Sequence, residues 1–459
     1  MAASRAFGPW PSTRVRPLRA VRPRAWSLVL GLLAVLAVLP AEAGAQGGAS
    51  EFRFDVTEFD KAPYSLDGLL ELSAADVTLN PDGALYRLTA LDTEQRSSVH
   101  PYGAKLQLEG GYAWPWLAFN FRVQASESRD ELGSTSEAVV QEAYLATQPT
   151  ATSTVELGKR VTKWGKGYAW NPVAFVDRAK DPSDPELAQE GFVMARAEVI
   201  RSFASDLRNV ALSLVLLPVD GDVNEDFGVE PATNVAGKLT LLLWDTDIDL
   251  LALGGGTRPS RWGVDFSRNL GSNVEVHGEW TRTAEAQQPV LQPGGGVQQR
   301  VDSTDAWLLG LRYLTDFELT SIVEYYVNEA GYTREELENF YRFVDQAWMK
   351  YEVGGSRALL DRAASLVQGG YGRPNPGRRY GYLRLSQKDP FDWLYVTPAA
   401  TAIANLDDDS RTLIAELGYT GITNLELRGR VMWLQGERFT EFAEKANASR
   451  AELRVQWHF

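Results

Sequence analysis

The final twelve residues, 448–459 (ASRAELRVQWHF), alternate in character: Ala451, Leu453, Val455, Trp457 and Phe459 on one parity, Glu452, Arg454, Gln456 and His458 on the other. Successive side chains of a strand point to opposite faces, so the segment reads as a strand with one oily and one polar face. The pattern recurs. Leu117, Phe119, Phe121 and Val123 oppose Asn120, Arg122 and Gln124, while Val274, Val276 and Trp280 oppose Glu275, His277 and Glu279. Leu425, Leu427, Val431 and Trp433 oppose Glu426, Arg428 and Arg430. A soluble sheet also alternates, so the number of such segments decides the fold. Eighteen fit between residues 66 and 459, with sixteen as the alternative count, and single-chain membrane barrels need an even number.

The connections between these segments divide by length. Short turns at 419–421, 388–391, 314–317, 269–273 and 245–247 alternate with longer segments at 75–101, 127–137, 165–192, 218–233, 284–302, 328–377 and 436–447. Short turns at one end and long loops at the other are the habit of an antiparallel up-and-down transmembrane β-barrel, and a soluble sandwich has no reason to sort its loops this way. The expected fold is therefore all-β, a barrel over 66–459, with Phe459 at the periplasmic end and a periplasmic segment at 44–65. Within individual strands the reading is coarser: one strand is drawn at 153–164, another at 392–404 and a third at 410–420.

The start of the chain carries an address. Six arginines precede a 14-residue apolar run at 26–39, and small residues follow at Ala41, Ala43 and Ala45. This is the pattern of a cleaved signal peptide, placed at 1–43; fourteen residues make only about 21 Å of helix, short of a bilayer. Export to the bacterial outer membrane is the expectation. The absence of cysteine suits an oxidising envelope, and the net charge of −14 argues against nucleic acid as a partner, which calls for a basic surface.

Two long loops have room to carry function. Segment 165–192 is dense in Pro and Asp. Segment 328–377 has helical patterns: Thr333 with Glu336 fits a capping box, and Ser356 is placed to cap a second helix over 356–368, which Gly369 and Gly370 would end. Either loop could fold inward and narrow the lumen or stand outside as a lid.

With the apolar parity assigned to lipid, the polar parity faces the lumen. The expected selectivity residues there are Arg160, Arg196, Arg312, Arg384, Arg428 and Arg430 with Glu142, Glu279, Glu416 and Glu426. Two arrangements fit them equally: a transverse field that sorts solutes, or a ladder of cross-strand ion pairs that stabilises the wall. The segment LGKRVTKWGKGYAWNP (157–172) mixes Lys159, Arg160, Lys163 and Lys166 with aromatic rings. Trp164 suits an interfacial girdle, and Lys166, Tyr168 and Trp170 are candidate solute contacts. Acidic clusters at 220–230 and 407–409 read first as solvated loops, with a cation-attracting mouth as the alternative.

The ending resembles the C-terminal strand of bacterial outer-membrane barrels, in which a final Phe belongs to the assembly signal. The resemblance gives Trp457 and Phe459 that role and the barrel assembly machinery as a partner. The run GKRVTKWGKGYAWNP with RAKDPSDPELAQEG (178–191), then EYYVNEAGYTREELENFY (324–341) and GRRYGYLRLSQKDPFDW (377–393), resembles porin-like, largely uncharacterised outer-membrane proteins. It implies a channel for small hydrophilic solutes, in contact with outer-membrane lipid and lipopolysaccharide, and supplies no substrate. A homo-oligomer is compatible, though no segment marks an interface. The alternative is a plugged barrel that serves as envelope export partner for lipid or polymer, or as a surface receptor. No cofactor or metal is implied. Enzymatic activity is not expected: none of the three histidines sits in a HExxH-like context, no GxSxG nucleophile motif occurs, and only His277 has luminal parity within a strand.

Overall fold

The computed structural model describes residues 62–459 apart from 92, 93 and 229. The signal peptide at 1–43 and nearly all of segment 44–65 lie outside the described residues. The strands are β1 (Tyr64–Leu79), β2 (Tyr102–Ala113), β3 (Ala118–Asp130), β4 (Gly133–Thr150), β5 (Ser153–Arg160) and β6 (Phe192–Ser202). They continue as β7 (Leu207–Val219), β8 (Ala232–Leu243), β9 (Thr246–Gly254), β10 (Arg261–Leu270), β11 (Val274–Leu291) and β12 (Val297–Leu314). The last six are β13 (Leu319–Asn328), β14 (Arg379–Gln387), β15 (Val396–Asn405), β16 (Arg411–Ile422), β17 (Leu425–Gln435) and β18 (Asn447–His458). Each pairs antiparallel with the next, and β18 returns to β1 with Trp457 opposite Leu70 and Val455 opposite Leu72. A two-residue strand, Ser98–Val99, adds to the outer end of β1. The eighteen expected strands are thus all present, in a closed barrel with no free edge.

Because the side-chain period is two, closure in one register sends every apolar parity outward at once. Leu72, Leu157, Leu214, Leu309, Val323, Leu417 and Leu453 are exposed on the outer face, while Glu71, Glu156, Ser213, Glu324 and Glu452 are buried on the inner one. An outer face of this kind is stable only against lipid.

Some boundaries differ from the sequence reading. Residues 127–137 and 284–302 are mostly strand: β3 and β4 turn only at 131–132, and β11 and β12 at 292–296. The outer ends of β3 and β4 are polar on both faces, so no hydropathy contrast marks them, while β11 carries Val290 and Leu291 there against helices at the outer end. β15 begins at Val396, so the turn before it spans 388–395, and β16 runs through the expected turn at 419–421 to Ile422. β5 stops at Arg160, four residues early. There the Asp177 carboxylate accepts the backbone N–H groups of Thr162 (2.8 Å), Lys163 (3.0 Å) and Trp164 (2.8 Å), and Lys163 takes φ +56°. A side chain has replaced the ladder.

Among the described residues three α-helices stand at the outer end: α1 (Ala84–Thr89), α2 (Arg334–Gly354) and α3 (Ala358–Leu366). α2 has the expected capping box, Thr333 with Glu336, and ends on Gly355 at φ +68°. Ser356 does not cap α3; Arg357 is its N-cap and gives no side-chain bond, and a π-type turn, Val367–Tyr371, follows. Leu337, Phe340, Tyr341 and Val344 of α2 pack with Ala363 and Leu366 of α3, with Ala84 of α1, and with Val290 and Leu291 of β11. At about 31 Å, α2 reaches across the mouth. Its first turn meets β12 through Glu336 and Arg300 (2.7 Å), and its middle meets Arg87 and Arg438 through Asp345 (2.6 Å each), from the loops after β1 and β17.

Candidate functional site

The luminal wall is a ladder of opposite charges. Lys105 pairs with Glu71 (2.9 Å), Arg122 with Glu109 (2.8 Å) and Glu142 (3.2 Å), and Arg160 with Glu142 (3.3 Å) and Glu156 (3.5 Å). Arg196 joins Glu156 (2.8 Å) and Glu198; further round, Arg384 meets Glu416 (2.6 Å) and Arg428 meets Glu426 (2.8 Å). Strand alternation carries each of these groups inward, and antiparallel register sets unlike charges side by side.

Segment 161–191 does not rest outside. It enters the lumen and is held by two wall carboxylates. Glu279 of β11 accepts the N–H groups of Lys166 and Gly167 (2.6 Å each) and Val173 (3.2 Å), and the Asn171 side-chain amide (3.1 Å). Glu324 of β13 accepts those of Tyr168 and Ala169 (the latter 2.8 Å) and meets His277 Nε2 at 2.9 Å. The Lys166 ammonium lies 3.2 Å from both Asp247 and Asp249 and 3.9 Å from Asp265. Chain and wall fit closely here. A Cβ at Gly167 would stand 2.0 Å from the Trp170 carbonyl, and one at Gly165, which holds φ +97°, 2.6 Å from Asn171.

Packing closes what the hydrogen bonds begin. Trp164, Val173, Phe175 and Val176 form a dry core with Phe192 and Met194 of β6, Val215 and Leu217 of β7, and Leu251 and Leu253 of β9. On the other side, Trp170 stacks on Tyr326 (centroids 5.1 Å) beside Tyr380 (5.8 Å) and Tyr382 (6.1 Å). Farther along the segment, Asp184 reaches Arg454 (3.2 Å) and Arg430 (3.9 Å) on β18 and β17, so the segment spans the lumen before returning through Glu190 to Lys159.

Beneath it, on the periplasmic side, lies a cavity of about 630 Å³. Gly165, Lys166, Gly167, Tyr168, Lys180 and Glu186 form its roof. Its wall carries Glu275, His277, Arg312, Arg384, Glu416, Glu426 and Arg428, and Thr320, Ser386, Thr397 and Thr420 line it next to the periplasmic turns.

All ten expected luminal charges are on the inner wall, in different settings. Arg312, Arg384, Arg428, Glu416 and Glu426 line the cavity; Arg160, Arg196 and Glu142 belong to the ladder; Arg430 meets the segment, and Glu279 is one of its anchors. Of the three candidate solute contacts, Lys166 and Tyr168 line the cavity, and the Tyr168 hydroxyl reaches Glu186 at 3.3 Å. Trp170 is buried under the cap and bonded to Asn375 (3.3 Å), so it packs rather than lines the cavity. Trp164 is likewise a core residue, 3 % exposed, and not part of a girdle: the chain has left the ladder before reaching it. Trp457 and Phe459 lie together at the periplasmic rim (centroids 4.9 Å). The sequence reading passed over Asp247, Asp249 and Asp265, and the dry half of the lumen. The second had a signal: ALSLVLLPV (211–219) and DLLALG (249–254) carry apolar residues on both parities, as strands covered on both faces do.

No family model and no curated protein matches the chain. Among solved structures it is similar to OccAB1 of Acinetobacter baumannii, with a TM-score of 0.51 at 9% identity over 86% of this chain and 96% of that one. It is also similar to Wzi of Escherichia coli, an outer-membrane protein involved in group 1 capsule assembly and described as a carbohydrate-binding β-barrel. There the TM-score is 0.50 at 11% identity, over 85% of this chain and 83% of that one. At such identities the likeness is one of fold. The chain has the fold of bacterial outer-membrane barrels, as the resemblance in its sequence implies.

Proposed function

We propose that the chain is a bacterial outer-membrane channel for small hydrophilic solutes, constricted by segment 161–191. The observation that carries this reading is the cavity of about 630 Å³ beneath that segment, walled largely by charged and hydroxyl groups, two of its arginines paired with glutamates. Paired charges hold water in the lumen, and they offer donors and acceptors to a solute that sheds part of its hydration. No nucleophile or general-base constellation is needed for such a role, and none is part of it. Trp457 and Phe459 would serve assembly, and the exposed belt would meet lipid and lipopolysaccharide.

Single-channel recording of the refolded mature protein in planar bilayers tests the proposal. The intact chain should pass a small, steady current. Glu279→Ala with Glu324→Ala removes the acceptors of five backbone N–H groups, each costing roughly 1–3 kcal/mol when buried unpaired. The segment should then leave its seat and the conductance should rise severalfold. If both proteins fold and neither conducts, the channel reading fails.

A second reading is favoured by the outer cap: a closed barrel acting as receptor or as envelope export partner for lipid or polymer. The barrel of similar fold that is involved in capsule assembly and binds carbohydrate supports this reading. Removing 334–370 distinguishes the two. A cap that only shields a receptor surface leaves the current unchanged, whereas one that narrows the path raises it.

A further inference from the structure

Most luminal charges are closed in pairs, but one opposite couple is left open. Glu275 of β11 and Arg312 of β12 stand directly opposite each other in register. They make no ion pair with each other, and among the described residues Arg312 has no carboxylate within 4.0 Å. Glu275 accepts only the Ser267 hydroxyl, at 3.3 Å, and lies 3.8 Å from His277 Nδ1. Arg312 is exposed to the cavity, although Arg384 and Arg428 on the same wall are each matched to a glutamate.

His277 is the second observation. It is 3 % exposed, lines the cavity, and its Nδ1 has no hydrogen-bond partner. The ring lies over β12 where Gly310 makes room for it; a Cβ there would stand 2.0 Å from Nε2. With Nε2 donating to the Glu324 carboxylate at 2.9 Å, Nδ1 is left as a lone-pair acceptor, a tautomer assigned from the hydrogen-bond network. That Nδ1 is closed off from solvent beside Glu275, 3.8 Å away, so the wall presents one acceptor, the Glu275 carboxylate, next to one forked donor, Arg312.

We propose that Glu275 and Arg312, with His277 packed beside Glu275, form a periplasm-facing binding site for a small zwitterion of the α-amino-acid class. Its ammonium group donates to the Glu275 carboxylate, and its carboxylate takes the Arg312 guanidinium in a two-point bond. A simple anion leaves Glu275 unmatched, and a simple cation leaves Arg312 unmatched; only a solute that bears both charges on one carbon satisfies both. The remaining cavity accommodates a side chain under Tyr168 and Lys180. Thr320 and Ser386, beside the periplasmic turns, place the entrance on that side.

The inference deepens the channel reading by naming its solute, and it is tested separately from it. Radiolabelled L-alanine is bound to the refolded full chain in detergent micelles and competed with unlabelled L-alanine, N-acetyl-L-alanine, L-alaninamide and glucose. Only L-alanine should compete well. Arg312→Gln and Glu275→Gln should each weaken binding roughly tenfold or more, and Arg312→Lys should restore part of the loss. Among the described residues Arg312 has no ion-pair partner, so its loss leaves folding, read by heat-modifiable mobility, as in the parent. The proposal is overturned if the neutralised analogues or glucose compete equally, if neither substitution moves the affinity, or if the folded chain binds no alanine. A chain that binds alanine yet carries no current keeps this site and loses the channel; open current without alanine binding does the reverse.

Discussion

At the residue scale, single carboxylates do work that a whole element does elsewhere. Glu279 and Glu324 collect donors from a segment more than a hundred positions away, and Asp177 gathers three successive N–H groups from its own loop. A smaller clamp sits at the outer rim. Glu131 accepts the His100 backbone N–H at 2.9 Å and meets its ring Nδ1 at 2.7 Å. That bond pushes the His100 pKa above its ordinary 6.5, while the backbone N–H of His100 above all holds Glu131 down at about 2. A raised histidine contributes its stabilisation in full below its ordinary pKa and loses it as pH rises through the folded value. A depressed carboxylate contributes above its ordinary pKa and loses it as pH falls toward 2. The contact tying the β1–β2 connection to the β3–β4 turn is thus firmest between about pH 4.5 and 6.5. NMR titration of the His100 ring checks this: Glu131→Gln should return its midpoint toward 6.5, and an unchanged midpoint would dissolve the clamp.

At the scale of elements, the outer cap folds by local rules and docks by long-range ones. α2 is started by Thr333 and Glu336, which satisfy each other's backbone N–H groups, and stopped by Gly355 in the left-handed region. Its apolar side, Leu337, Phe340, Tyr341 and Val344, then needs partners, and takes them from β11, α1 and α3. Thr333→Ala removes one half of the box at a cost of about 1 kcal/mol. Hydrogen exchange at the amides of 335–337 should accelerate roughly fivefold, with strand amides unaffected. Equal acceleration throughout the barrel would mean that the cap and the wall unfold as one unit.

At the scale of the whole molecule, closure decides where a charge can go. Leu309 is 53 % exposed on the outer face of β12, five residues from its periplasmic end and thus close to mid-depth. Leu309→Arg should lower refolding stability in lipid vesicles by about 2–4 kcal/mol. Thr397→Arg, which places the same charge in the cavity, should stay within about 0.5 kcal/mol. Equal costs would contradict the assignment of the two faces. The same inside–outside division places Glu275 and Arg312 against water and leaves them available to a solute.

The sequence determined the barrel because a period of two is a local property. Leu453, Val455 and Trp457 fix the lipid face of β18 wherever its neighbours lie, and eighteen such decisions leave closure as the only sheet without an edge. It determined α2 for the same reason, since Thr333 and Glu336 are three residues apart. What it left open was which side chains meet across the lumen. Glu279 and Glu324 look like any other luminal glutamate until Gly167 and Ala169 are brought to them, and Trp164 reads as an interfacial ring until Asp177 turns the chain inward. The boundary of β5 failed in the sequence for that reason, as did the girdle role of Trp164. Only the tertiary structure decided that segment 161–191 fills the lumen and that α2 spans its mouth. Those contacts join residues far apart in the chain, and their energy comes from burial and hydrogen bonding that exist only once the wall has closed.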